Sequence, residues 1–150
     1  MKQKALFLDR DGVINESAPA GDYIVSRNQF RLRPEIIPLI RFAHATGYLI
    51  VVVTNQRGVS LGLMSEKDLD DVHVYMRELL RAEDADVDAV YSCMHGYEDM
   101  CECRKPKAGM ILQAARDLDI DISESVMVGD RQTDIDAGKA AGCKICLLIK

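Results

Sequence analysis

Ala5-Leu6-Phe7-Leu8-Asp9-Arg10-Asp11-Gly12-Val13 decides the fold. Its first four residues are continuously apolar, as expected of a strand buried on both faces of a parallel sheet. Residues two apart on a strand point the same way, so Asp9 and Asp11 leave the sheet together. They leave at its carboxyl edge, where open α/β sheets bind ligands. Two carboxylates cannot sit side by side there without a cation or a shared proton to offset their repulsion. Gly12 permits the tight turn that such a site needs. A single aspartate here would read as a turn cap. The pair reads as a nucleophile and an acid/base beside a Mg²⁺ ion.

Outward from this strand, apolar runs alternate with helical periods, the pattern of α/β folding. The first strand spans Lys4 to Leu8, and a polar loop covers Asn15 to Phe30. Pro34 opens a helix reaching Thr46, with Pro38 awkwardly inside it, so regular turns are expected to start late. Tyr48 to Val53 is the second strand. Ser65 reads as the cap of a helix with Asp68 at its third position and an apolar stripe of Leu69, Val72, Met76, Leu79 and Leu80. Asp88 to Ser92 is a short strand, and Lys107 to Leu118 a helix. Ser125 to Val128 is a strand ending in Gly129-Asp130. Thr133 to Ala141 is a helix, and Lys144 to Ile149 the last strand. The expected architecture is a Rossmann-like domain over residues 1–150: a central parallel sheet, helices on both faces, and no large cap.

The bulk numbers agree. One domain is the natural count for 150 residues, and 48% hydrophobic content suffices for a core. No apolar run approaches the roughly 20 residues of a membrane span. Only a short apolar run follows the basic start Met1-Lys2-Gln3-Lys4, which argues against a signal peptide and for a cytoplasmic location. A net charge of −5 and an aromatic content of 5% argue against nucleic-acid binding. A small phosphorylated metabolite is the expected partner, and a monomer is compatible with the composition.

Three strand ends carry chemistry: Asp9 and Asp11, then Thr54-Asn55-Gln56, then Gly129-Asp130. In a parallel sheet these ends share one edge. Lys105, with Arg104 before it, precedes a helix and can reach the same edge. Carboxylates for a hard cation, a hydroxyl, and a lysine for phosphate charge suit phosphoryl transfer. Five cysteines without an export signal suggest metal binding over disulfides. Cys93-x-His95 and Cys101-x-Cys103 supply the four soft ligands of a closed, structural Zn²⁺ site. It would pin Arg104 and Lys105, which adjoin Cys103.

Together, Asp9-Arg10-Asp11-Gly12-Val13, Thr54-Asn55-Gln56, Arg104-Lys105-Pro106-Lys107 and Gly129-Asp130-Arg131 with Asp134 resemble a haloacid dehalogenase superfamily phosphatase. Within it, Thr-Asn-Gln after the second strand and the cysteine-rich loop running into Cys-Arg-Lys-Pro-Lys resemble the heptose 1,7-bisphosphate 7-phosphatases and the related histidinol-phosphate phosphatases. The resemblance implies that Asp9 attacks phosphorus and that Asp11 protonates the leaving alcohol and then activates water. It implies Mg²⁺ on Asp9, Asp130 and the backbone carbonyl of Asp11. Thr54 and Lys105 would stabilise the transferring group, with Arg104, Asn55, Gln56 and the loop from Gly21 to Ile24 toward substrate. Asp134 would orient the site, or serve only as a favourable acid in a helix first turn. The chain departs from the pattern at Arg57, where heptose enzymes often carry Ser and histidinol-phosphate enzymes Asp, and at Leu61. An extra cation at Arg57 favours a bisphosphate. A polynucleotide end phosphatase and an inactive zinc-binding module are the remaining alternatives. Cys143 and Cys146 read as core residues, and His73 as a boundary residue on its helix.

Overall fold

The computed structural model describes residues 2–150. Five strands form one parallel sheet in the order β3-β2-β1-β4-β5. They are β1 (Lys4–Leu8), β2 (Tyr48–Asn55), β3 (Ala89–Cys93), β4 (Val126–Gly129) and β5 (Ile145–Leu148). The helices are α1 (Ile36–Ala45), α2 (Glu66–Ala82), α3 (Gly109–Leu118) and α4 (Gln132–Ala141). The order reverses at β1, which pairs with β2 on one side and β4 on the other. A ligand crevice is expected at the carboxyl end of such a switch point.

The period-two alternation of the inner strands builds two cores. Leu6, Leu8, Ile50 and Val52 pack with Ile40 of α1 and with Val72, Met76 and Leu80 of α2. Ala5, Phe7, Val51 and Val53 pack on the other face with Ile111 and Ala114 of α3 and Ala137 of α4. Both faces of β1 are covered, so Ala5 to Leu8 are buried and apolar, and the first acid comes at Asp9.

The boundaries differ from the sequence reading where local chemistry intervenes. α1 starts at Ile36, so Pro38 is its third residue. There the missing N–H is one that has no partner within the helix anyway. β2 runs on to Asn55, which pairs in register with Cys93, so Thr54 and Asn55 lie in the strand itself. α3 begins at Gly109 instead of Lys107. Gly109 N–H donates to Glu102 O, and a side chain at 109 would collide with that carbonyl. Only glycine lets the cysteine-bearing loop close onto the helix start. The capping box at Ser65 and Asp68 is present. Among the described residues, no helix is long and apolar enough to cross a membrane.

Candidate active site

The carboxyl ends of β1, β2 and β4 converge on a cleft of about 790 Å³. Asp9 directly follows β1 and is buried. Lys105 is buried with it, and its Nζ donates to Asp9 Oδ1 at 2.9 Å, Asp134 Oδ1 at 2.6 Å and Val53 O at 2.8 Å. Two carboxylates outweigh the cost of burying the ammonium, and the Lys105 pKa is raised. Asp9 is pushed up to about 7 by burial, with Asp134 and Asp11 adding repulsion that Lys105 only partly offsets. A nucleophile must be ionised, so this site calls for further positive charge.

The chain offers a place for that charge. One carboxylate oxygen each from Asp9, Asp130 and Asp134 lie within 4.8 Å of one another. Asp130 Oδ1 is buried without a hydrogen-bond partner among the described residues. Hard oxygen donors around an unsatisfied carboxylate suit Mg²⁺. Close packing holds the group together: a side chain on Gly12, which has φ of +91°, would collide with the Asp130 carboxylate. A side chain on Gly129 would collide with Asp134. Asp134 does both things its position allows. From the first turn of α4 its Oδ2 accepts the N–H groups of Asp130 and Arg131, each at 3.1 Å, while Oδ1 takes Lys105.

Asp11 sits apart from that carboxylate cluster. Its Oδ1 accepts from Arg10 Nε and Asn15 Nδ2, both at 2.9 Å, and its Oδ2 from Gln56 Nε2 at 3.3 Å. Burial raises its pKa, but the Arg10 charge and these hydrogen bonds outweigh that and hold the carboxyl below its usual range. Gln56 also donates to Thr54 Oγ1 at 2.9 Å, so it is an internal brace, buried beneath the cleft. Asn55 grips the Lys105 backbone, donating to its carbonyl at 3.2 Å and accepting its N–H at 3.0 Å. Arg57 and Arg104 line the cleft and stack on Tyr97, with guanidinium carbons 3.8 and 4.4 Å from the ring centroid. Arg57 Nε and Arg104 Nη1 are buried without hydrogen-bond partners among the described residues. The sequence reading gave no individual role to Arg10, which holds Asp11, or to Tyr97, which lines the cleft. Tyr97 carried no signal beyond being an aromatic residue in a cysteine-rich loop.

The four soft ligands also converge. Cys93 ends β3, and its Sγ lies 3.5 Å from His95 Nδ1 and 3.7 Å from Cys101 Sγ. His95 Nδ1 lies 3.1 Å from Cys103 Sγ. A tetrahedral ion with bonds of about 2.3 Å to sulfur sets its ligands roughly 3.7 Å apart. Burial raises the Cys93 and Cys103 thiols; Cys101 raises both further and Cys93 adds to the rise of Cys103, while hydrogen bonds with Cys103 and the His95 backbone only partly offset the rise of Cys93. Burial also raises Cys101, but the Arg104 N–H and the neighbouring thiols outweigh it and bring it down to about 7. Three crowded thiols resist joint ionisation unless a cation joins them, so the group could hold a metal ion.

Known proteins resemble this chain in sequence and fold. A family model described as HAD-hydrolase-like matches residues 102–149. The chain is 38% identical to a D-glycero-beta-D-manno-heptose-1,7-bisphosphate 7-phosphatase of Haemophilus influenzae, covering 98% of this chain and 82% of that protein. It is 42% identical to a D-glycero-alpha-D-manno-heptose-1,7-bisphosphate 7-phosphatase of Burkholderia mallei, covering 99% and 81%. A solved D,D-heptose 1,7-bisphosphate phosphatase from B. bronchiseptica, complexed with magnesium and phosphate, superposes with a TM-score of 0.88 at 35% identity. That match covers 96% of this chain and 79% of the other. With identity of this order over nearly its whole length, the chain belongs to the haloacid dehalogenase-like hydrolases, in the family of the heptose-1,7-bisphosphate 7-phosphatases.

Proposed function

We propose that this protein hydrolyses the 7-phosphate of D-glycero-D-manno-heptose 1,7-bisphosphate, with residues 1–150 acting as one catalytic domain. The observation that carries the chemistry is the buried Asp9 held by Lys105, with the Asp11 carboxyl two residues on and free of that cluster. Asp9 attacks phosphorus, the bond from phosphorus to the sugar oxygen breaks, and Asp11, which must enter this step as the protonated acid, gives that oxygen its proton. Asp11 then takes a proton from water, which attacks the aspartyl-phosphate and frees Asp9 and inorganic phosphate. Thr54 and Lys105 stabilise the charge on the transferring group. Asp9, Asp130 and the Asp11 carbonyl would hold Mg²⁺, with Asp134 adjoining them. The ion supplies charge that favours ionised Asp9 and balances phosphate.

Arg57 and Arg104 favour a bisphosphate. Both residues line the cleft that holds Asp9, and each has a buried guanidinium nitrogen without a hydrogen-bond partner among the described residues. Such donors cost free energy until an acceptor arrives, and a second phosphate supplies one. Histidinol phosphate would bring an amine toward two guanidiniums, an unfavourable pairing. The test is phosphate release with Mg²⁺ from the bisphosphate and from histidinol phosphate. The bisphosphate should be strongly preferred, and equal or reversed preference would overturn the assignment. Arg57→Ser should raise KM for the bisphosphate by about 10- to 100-fold, the worth of a charge-assisted hydrogen bond. It should spare kcat and the KM of a monophosphate. An equal rise for both substrates would show that Arg57 does not read the second phosphate.

The Cys93, His95, Cys101 and Cys103 site would hold structural Zn²⁺. Four protein ligands leave no open position for chemistry. Its place is mechanical, because Cys103 is followed by Arg104 and Lys105. The full chain should carry one zinc. Stripping it with a chelator should lower melting temperature by several degrees and lower turnover, since structural zinc contributes folding free energy. Full activity and unchanged melting after zinc removal would exclude this role.

A further inference from the structure

Arg10 lies between Asp9 and Asp11, in the turn that follows β1, and its side chain enters the protein toward α2. The side chain is fully buried, with 0% exposure. A buried guanidinium must be paired, and among the described residues one carboxylate pairs with it, Asp11. The hold is narrow. Arg10 Nε donates to Asp11 Oδ1 at 2.9 Å, whereas Nη2, at the same distance from that oxygen, is not aligned to donate. One aligned bond does not fix the plane of a guanidinium. The second fixed point is at the far end, where Nη1 lies 3.0 Å from His73 Nε2.

His73 is buried on α2, one turn from Leu69 and Met76. A guanidinium has donors only. His73 Nε2 must therefore accept, which places the ring proton on Nδ1 and leaves the imidazole neutral. Burial and the Arg10 charge push His73 down to about 3, in keeping with that state.

At the other end, Arg10 and Asn15 share Asp11 Oδ1, while among the described residues Oδ2 has only the long 3.3 Å contact with Gln56. The Asp11 side chain is 31% exposed. Oδ2 is thus the oxygen that can exchange its weak partner for a substrate oxygen.

We propose that His73 is a positioning residue for proton transfer: it anchors Arg10, Arg10 fixes Oδ1 of Asp11, and Oδ2 is left aimed at the leaving group. The inference rests on Asp11 being the acid/base of the reaction.

Leaving-group dependence tests it. In the Mg²⁺-loaded full chain, kcat/KM reports the steps through aspartyl-phosphate formation. A sugar phosphate needs a proton on its leaving oxygen at that stage, and p-nitrophenyl phosphate does not. His73→Leu should lower kcat/KM for the sugar phosphate by about tenfold or more, a fraction of what general acid catalysis contributes. It should leave p-nitrophenyl phosphate within about twofold. His73→Gln, whose carbonyl oxygen can accept from Nη1, should restore most of the loss. An equal fall for both substrates would mean that His73 only supports the fold, and no fall would mean that Arg10 needs no anchor. Either overturns the proposal. If the leucine variant does not fold, His73→Asn, polar but too short to reach Nη1, gives the same comparison. Asp11→Asn is the control. If it fails to discriminate the two substrates, the acid/base reading fails and the anchor role falls with it. If it discriminates and His73→Leu does not, the anchor role alone fails.

Discussion

Asp9→Asn should reduce phosphate release by at least roughly 10⁴-fold, the order seen when a covalent nucleophile is removed. The amide oxygen has the shape of the carboxylate but neither its charge nor its nucleophilicity, so the first step has no attacking atom. The fold should survive the change. Lys105 keeps its 2.6 Å bond to Asp134 and its bond to the Val53 carbonyl, so no buried charge is left unpaired. Asparagine also needs no charge compensation in a position where burial pushes the native carboxyl up to about 7. Metal-free variant protein at neutral pH should therefore melt no lower than wild type. Zinc content should not change, since none of Cys93, His95, Cys101 and Cys103 belongs to this cluster. Mg²⁺ affinity should fall, because one of three neighbouring carboxylates is gone. Equal phosphate release by the two proteins would remove Asp9 from the reaction.

Much of this site is legible in the chain because strand order does the assembling. Asp9, Thr54 and Asp130 each follow an apolar run, and a parallel sheet has one carboxyl edge. Lys105 is named by its neighbours Arg104 and Pro106 and by the cysteines before it. The cluster of Cys93, His95, Cys101 and Cys103 is legible from ligand density alone. Residues whose roles depend on a distant partner are hidden. Asp134 looks like any acid in a helix first turn, and only the folded chain shows its second oxygen on Lys105. The contact of Arg10 with His73 joins positions 63 apart in sequence. From the helical stripe alone, His73 reads as a boundary residue. His44 lies in the last turn of α1, and its Nε2 also lies 3.0 Å from Asp88. Within the acidic stretch Glu83 to Asp86, Ala85 is buried, and Asp86 binds Arg77 and Arg81. In each case a tertiary partner gives the local pattern a further use.

Lys105→Met should have the opposite profile from Asp9→Asn: a large loss of stability together with the loss of activity. Methionine fills the volume of the lysine stem but brings no charge. Asp9 and Asp134 would then face each other, both buried, with no cation between them. Breaking a buried pair from one side costs about 3–5 kcal/mol, because the remaining charge keeps its desolvation penalty. Here one lysine serves two carboxylates, so the upper end of that range applies. For a chain of this size the melting temperature should fall by roughly 10 °C. Turnover should fall by about 10²- to 10³-fold, the cost of removing one donor from a developing oxyanion. Mg²⁺ separates the two effects. A divalent cation on Asp9 and Asp130 replaces part of the missing charge, so added Mg²⁺ should raise the melting temperature of the variant by more than that of wild type. It should not restore turnover, because the donor to the transferring phosphoryl group is still absent. A variant that melts with wild type would mean that the two aspartates share a proton in the metal-free protein. The lysine would then be needed for chemistry alone.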